Sequence, residues 1–222
     1  MRIRPLLLGH RGARAEKSVL ENTLDSFDLA LARGCDGFEF DVRLSADDCP
    51  VICHDESVGG LEIAQTAAEK LFLPTLRDVL RRYQTSAFLD IELKVSGLEN
   101  ITLELLRTYP PARGYVVSSF RPEVLDTIHG MDASIHLALI CETRSQFSFW
   151  PTLPIDCVIA HYKLLTRGAI LAIKRAGKKI FVWTVNSTKG MARFAEWKVD
   201  GIISDQPERL VAVIGSRSKS RT

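Results

Sequence analysis

No two cysteines of this chain stand in C-x-x-C spacing, and the five present (Cys35, Cys49, Cys53, Cys141 and Cys157) are odd in number. A zinc ribbon wants two close pairs and a disulfide scaffold an even set. Both readings lack support, and the thiols read as small buried side chains in a reducing compartment. An excess of one charge is also missing: Lys and Arg number 29 against 27 Asp and Glu. No strong field therefore argues for a nucleic-acid partner. Apolar runs nowhere approach the roughly 18 uninterrupted residues that span a bilayer, which argues against stable membrane insertion. Met1-Arg2-Ile3-Arg4-Pro5 leads into no long apolar region of the secretory type. The expectation is a soluble, cytoplasmic protein. Also absent are a dinucleotide fingerprint or P-loop after the first strand-like run, and the Gly-x-Ser-x-Gly elbow of serine hydrolases.

What is present is a regular alternation. An apolar fraction of 46% in 222 residues is ample for a buried core. Strand-like runs are expected at Leu6–His10, Gly37–Val42, Ala87–Lys94, Tyr115–Phe120, Ile135–Cys141, Cys157–Tyr162, Lys179–Val185 and Gly201–Ser204. Helical patterns fall between them, at Thr23–Arg33, Thr75–Tyr83, Leu98–Thr108, Pro122–Met131, Thr166–Ala176, Thr188–Trp197 and Pro207–Ile214. Asn22 is the expected N-cap of the first helix, and Gly34 and Gly177 the expected left-handed caps after two others. Arg144–Trp150, followed by Pro151 and Pro154, reads as no more than a turn of helix.

Strands alternating with helices predict an α/β fold with a parallel sheet, and eight strands can close into a single (β/α)8 TIM barrel. An open doubly wound sheet is the competitor. Closure is favoured because the chemistry-bearing residues come from many strand ends, not one crevice. The segment Pro50–Phe72 fits no β/α repeat and is read as a short insertion after strand 2 that carries His54 over the mouth. One domain is expected over residues 1–215. A basic, Ser-rich, disordered tail is expected over 216–222.

Four polar segments end strand-like runs: Gly9-His10-Arg11-Gly12, Glu39-Phe40-Asp41, His54-Asp55 and Glu92-Leu93-Lys94. Side chains alternate faces along a strand, so Glu39 and Asp41 share one face, and Asp90, Glu92 and Lys94 another. Carboxylates gathered inside a barrel repel one another and lose solvation. Either their pKa values rise, a cation joins them, or Arg43 or Lys94 pairs with them in a structural network. Oxygen donors alone suit Mg²⁺ or Ca²⁺ better than zinc. Imidazole can donate or accept a proton near neutral pH, so His10 and His54 can supply one acid and one base. Arg11 and Lys94 can neutralise an anion.

These segments, together with Glu21-Asn22-Thr23, Pro74-Thr75-Leu76, Ser119-Phe120, Trp183-Thr184-Val185-Asn186 and the run Asp200 to Pro207, resemble the glycerophosphodiester phosphodiesterases in the same order along nearly the whole chain. The resemblance implies a (β/α)8 barrel that hydrolyses a small-molecule glycerophosphodiester to an alcohol and glycerol 3-phosphate through a cyclic phosphate intermediate. It implies one divalent cation, Mg²⁺ or Ca²⁺, held by Glu39, Asp41 and Glu92. His10 and His54 would be the acid–base pair, and Arg11 and Lys94 the phosphate contacts. Glu21 matches a site-proximal acid, and Trp183 a wall of the glycerol or headgroup pocket, with ordinary barrel packing as the alternative for this ring. Two departures stand out. Leu20 occupies a position where the family usually has proline, and a short Glu56-Ser57-Val58-Gly59-Gly60-Leu61 follows His54-Asp55. A shortened mouth segment leaves a lysophospholipase D reading open. From a different class, a catalytically silent barrel that binds phosphorylated ligands is the other alternative, although its signature, loss of a histidine or a metal ligand, is not found in the sequence.

Overall fold

A computed structural model describes residues 4–219, with side chains through Gly215. The elements run β1 (Leu6–His10), α1 (Leu24–Ala32), β2 (Gly37–Leu44), β3 (Pro50–Ile52), β4 (Ser57–Val58), β5 (Leu61–Glu62), α2 (Ala68–Leu71), α3 (Leu76–Tyr83) and β6 (Phe88–Leu93). They continue with α4 (Glu99–Thr108), β7 (Tyr115–Ser119), α5 (Pro122–Met131), β8 (Leu137–Cys141), α6 (Arg144–Phe147), β9 (Cys157–His161), α7 (Arg167–Arg175), β10 (Lys179–Trp183), α8 (Thr188–Glu196), β11 (Gly201–Ser204) and α9 (Pro207–Lys219).

Eight of the strands close a parallel ring. The order is β1-β2-β6-β7-β8-β9-β10-β11, and β11 pairs back to β1. The expected TIM barrel is therefore present, with each of the eight expected strands in it. β3 lies outside the ring, antiparallel to the end of β2, with Val42 opposite Ile52. The insertion then makes a tight β4–β5 hairpin around Gly59 and Gly60, both at positive φ.

Period-two alternation sets the layers. Phe38, Phe40 and Val42 on β2 point outward and are fully buried against helices. Phe38 stacks on Phe27 of α1 at 4.2 Å between ring centroids and meets Tyr83 of α3 edge-on at 4.9 Å. Inside the ring, Leu6, Leu8, Val116, Ala138, Ile140, Ile159, Phe181 and Ile203 form a separate apolar plug. Above that plug, at the C-terminal ends of β1, β2 and β6, the inward positions become His10, Glu39, Asp41 and Glu92. The plug gives these groups an apolar floor, and the strands give them fixed directions.

One cap differs from expectation. Thr23, not Asn22, caps α1, its side-chain oxygen accepting from the Ser26 amide. Asn22 instead adopts φ 57° and turns its side chain into the barrel. Gly34 and Gly177 take the expected left-handed conformation after α1 and α7. α6 is a single turn, as its sequence implied. α9 continues to Lys219, past the expected end at Ile214, while 220–222 of the expected tail lie outside the described residues. Among the described residues no helix is long and apolar enough to cross a membrane.

Candidate active site

A cavity of ≈ 290 Å³ opens at the C-terminal end of the barrel. Its walls include His10, Arg11, Glu39, His54, Glu92, Lys94 and Trp183, seven of the nine residues singled out from the sequence. The other two stand beside it. Asp41 joins the carboxylate cluster from β2, and Glu21 accepts a hydrogen bond from Arg11 at 2.7 Å.

Glu39, Asp41 and Glu92 each present one carboxylate oxygen within 4.8 Å of the others, and all three are buried. Their partners differ. Lys94 Nζ is 3.1 Å from Asp41 and 2.7 Å from Glu92, and Arg11 Nε is 3.1 Å from Asp41. The network expected as the structural alternative thus exists through Lys94 for Asp41 and Glu92. Arg43 takes no part in it, binding instead the His54 carbonyl. Glu39 is not satisfied by it either. One of its oxygens accepts from the Arg11 backbone amide at 3.0 Å and lies 3.7 Å from His10 Nε2, while Oε1 is buried with no hydrogen-bond partner among the described residues.

The electrostatics follow this asymmetry. Burial, reinforced by the charges of Asp41 and Glu92, holds the Glu39 carboxyl well above the usual carboxylate range. Burial and the charge of Asp41 lift Glu92 to about 7, against the pull of Lys94. Burial lifts Asp90 to about 7 as well, even though it accepts a hydrogen bond from Ser118 at 2.6 Å. Burial also opposes the charge on Asp41, but Lys94, Arg11 and the Asn22 amide outweigh it and hold this carboxyl below its ordinary value. Four inward carboxyl groups thus face two cations, Arg11 and Lys94. A buried excess of negative charge carrying an unpartnered oxygen is what a divalent ion would relieve, and oxygen-only donors fit a hard cation.

Both histidines are oriented by carboxylates. His10 Nδ1 lies 2.6 Å from Asp205, and His54 Nδ1 lies 2.7 Å from Asp55. A carboxylate can only accept, so in each pair Nδ1 carries the proton and Nε2 is left to exchange one. Burial would raise the Asp205 carboxyl, yet its bonds to His10 and Asn186 and the charge of Arg14 bring it down to about 2. His10 is buried at the base of the mouth, whereas His54 hangs half-exposed from the insertion.

Sequence reasoning gave no site role to several supporting residues. Asn22 donates to Asp41 at 2.8 Å and accepts from its backbone amide at 3.3 Å. Asn186 donates to Asp205 at 2.6 Å, and Arg14 bridges Glu21 and Asp205. The available signal was position: Asp205 directly follows β11, the same kind of strand end that drew notice elsewhere. Trp183 donates its indole N–H to the Ile159 carbonyl at 3.2 Å and packs edge-on with Phe120 at 5.7 Å.

The model of the Glycerophosphoryl diester phosphodiesterase family matches residues 10–110 and 59–209. A glycerophosphodiester phosphodiesterase of Caldanaerobacter subterraneus subsp. tengcongensis is 27% identical, over 96% of this chain and 98% of its own. Among solved structures, a glycerophosphodiester phosphodiesterase from Thermotoga maritima superposes with TM-score 0.81 at 26% identity, covering 94% of this chain and 98% of that one. An Oleispira antarctica phosphodiesterase in complex with the product sn-glycerol-3-phosphate has a TM-score of 0.84 at 24% identity, covering 95% and 96% of the two chains.

Proposed function

The chain belongs to the glycerophosphoryl diester phosphodiesterase family, and from that footing we propose that it hydrolyses glycerophosphodiesters to an alcohol and glycerol 3-phosphate with one divalent cation. The observation that carries this reading is the convergence of His10, His54, Arg11, Lys94, Glu39 and Glu92 on one cavity. Glu39, Asp41 and Glu92 would hold the ion, Mg²⁺ or Ca²⁺. Bound there, it supplies positive charge to the non-bridging phosphate oxygens.

The protein's own groups divide the remaining work. Arg11 and Lys94 attract the phosphate and fix its orientation. A glycerol hydroxyl attacks phosphorus and gives its proton to one imidazole Nε2, and the bond from phosphorus to the leaving alcohol breaks. The other imidazole, entering the step protonated on both nitrogens, gives its Nε2 proton to that alcohol, because a bare alkoxide is a poor leaving group at neutral pH. Water then opens the cyclic phosphate with the proton transfers reversed. Asp205 and Asp55 each accept the Nδ1–H of a ring, so the proton that moves is the one at Nε2.

A screen of glycerophosphodiesters and lysophospholipids with Mg²⁺ or Ca²⁺ added, the products being identified, tests the reading. Glycerol 3-phosphate from the diesters is the expected product. Turnover confined to lysophospholipids would favour the lysophospholipase D alternative, which draws on the apolar wall of Phe120, Ile140 and Ile159. Tight binding of glycerol 3-phosphate without any turnover would favour the silent barrel.

A further inference from the structure

Across the cavity from the carboxylate cluster, the wall changes character. Phe120 follows β7, Trp183 ends β10, and Glu142 stands one residue beyond β8. Ile140, two positions before Glu142 on the inward face, belongs to the apolar plug, so Glu142 is the outermost of this series and is exposed. Its carboxylate makes no hydrogen bond or ion pair among the described residues; only its backbone amide is engaged, with Gln146. Every other acid of the cavity wall lies with the triad and its cations. Glu142 is thus an unneutralised negative charge on the wall remote from the triad.

The neighbouring rings complete a recognisable chemistry. Trp183 meets Phe120 edge-on on one side and His161 edge-on at 5.6 Å on the other. Burial lowers the pKa of His161 and outweighs the nearby charge of Glu142. Lys94 Nζ already lies 5.9 Å from the Phe120 centroid, so that ring receives a cation from the phosphate side. Aromatic rings beside a free carboxylate attract a positive group, and a substituted ammonium gains from both. An anionic or strongly hydrated neutral group gains from neither.

We propose that Glu142, with Trp183 and Phe120, forms a subsite for a positively charged leaving alcohol, so that diesters carrying a substituted ammonium are preferred over those with a neutral alcohol. This rests on the hydrolytic reading above. The phosphate is held by Arg11 and Lys94 at the triad, the glycerol whose hydroxyl attacks stays on the floor beside the imidazoles, and the leaving alcohol extends past Glu142 to the mouth. Being partly solvated, the charge on Glu142 contributes modestly and is screened by salt.

The test is the ratio of kcat/KM for glycerophosphocholine to that for glycerophosphoglycerol, measured on the unaltered protein, Glu142→Gln and Glu142→Lys. A ratio taken within one preparation is insensitive to the fraction folded. The unaltered protein should favour the cationic substrate about fivefold, the usual scale of such contacts. Glu142→Gln should bring the ratio near one, through KM, and Glu142→Lys should invert it. The preference should also shrink as salt is raised. Hydrolysis of both diesters with a ratio that neither variant changes would overturn the inference and leave the hydrolytic reading standing. Failure to cleave any diester would overturn both.

Discussion

The Asp205 carboxylate sits 2.6 Å from Nδ1 of His10, joining the last barrel strand to the first across 195 positions of sequence. Asn186 holds the second oxygen of Asp205 at 2.6 Å and accepts from its backbone amide at 3.0 Å. His10 is thereby fixed by a group that is itself fixed.

Replacing Asp205 with Asn should lower kcat by at least about tenfold with little change in KM, because the amide can present its N–H to Nδ1 and favour the wrong tautomer. The same change bears on stability. The folded-state carboxyl titrates near 2, below its ordinary 3.8. A depressed pKa contributes stability that is present above about 3.8 and lost as the pH falls through about 2. Asp205→Asn should therefore cost about 2 kcal/mol in denaturant titrations at pH 6. That difference should fade towards pH 2, and a gap that stays constant with pH would rule out the ionic origin.

His10→Ala and His54→Ala should each keep the fold and lose at least about a hundredfold in rate, the scale of acid–base catalysis. The two differ in surroundings. His10 is buried against Glu39, so its removal also takes away one of the partners of Asp205 and should lower the melting temperature. His54 is half-exposed on the insertion and should be nearly neutral for stability. Turnover close to the parent's in either variant would take that histidine out of the mechanism.

Much of this site could be seen in the linear chain because strand periodicity is local. Glu39 and Asp41, or Glu92 and Lys94, need only two-residue spacing to share a face, and adjacent turn residues mark where each strand ends. Asp205 and Asn186 stood in the matching segments without an assigned role, because their link to His10 forms only when the ring closes. Asn22 was misassigned for a physical reason: asparagine favours helix caps and also tolerates positive φ. Here the second property prevails, since Thr23 caps α1 and the Asn22 amide satisfies Asp41. The β4–β5 hairpin was not assigned because two-residue strands leave too short a pattern to read.

Metal removal gives a test that does not depend on activity. A cation that binds only the folded protein must raise its melting temperature. Mg²⁺ or Ca²⁺ should raise the melting temperature of the EDTA-treated protein and not that of Glu39→Gln. Protons compete for the same oxygens, and the Glu39 and Glu92 carboxyls are both raised, Glu92 to about 7. Affinity should therefore strengthen between pH 6 and 8. Full turnover after EDTA treatment, or an equal thermal shift in Glu39→Gln, would contradict the assignment of the triad.

The barrel scaffold can be probed with two glycines of opposite character. A Cβ at Gly37, at the start of β2, would lie 1.8 Å from the Phe88 carbonyl oxygen of β6. The obstacle is backbone in the neighbouring barrel strand, so relief requires β2 and β6 to part just below Glu39. Gly37→Ala should cost about 3 kcal/mol or more and weaken metal-induced stabilisation together with it. At Gly130, inside α5, an added methyl group would meet nothing within 4 Å. There the substitution only restricts the unfolded chain and improves helix propensity, so Gly130→Ala should stabilise by about 0.5–1 kcal/mol. Urea titrations of both variants decide the matter. A tolerated Gly37→Ala would mean that the two strands are held less closely than the ring requires, and the spacing of Glu39 from Glu92 would lose its support.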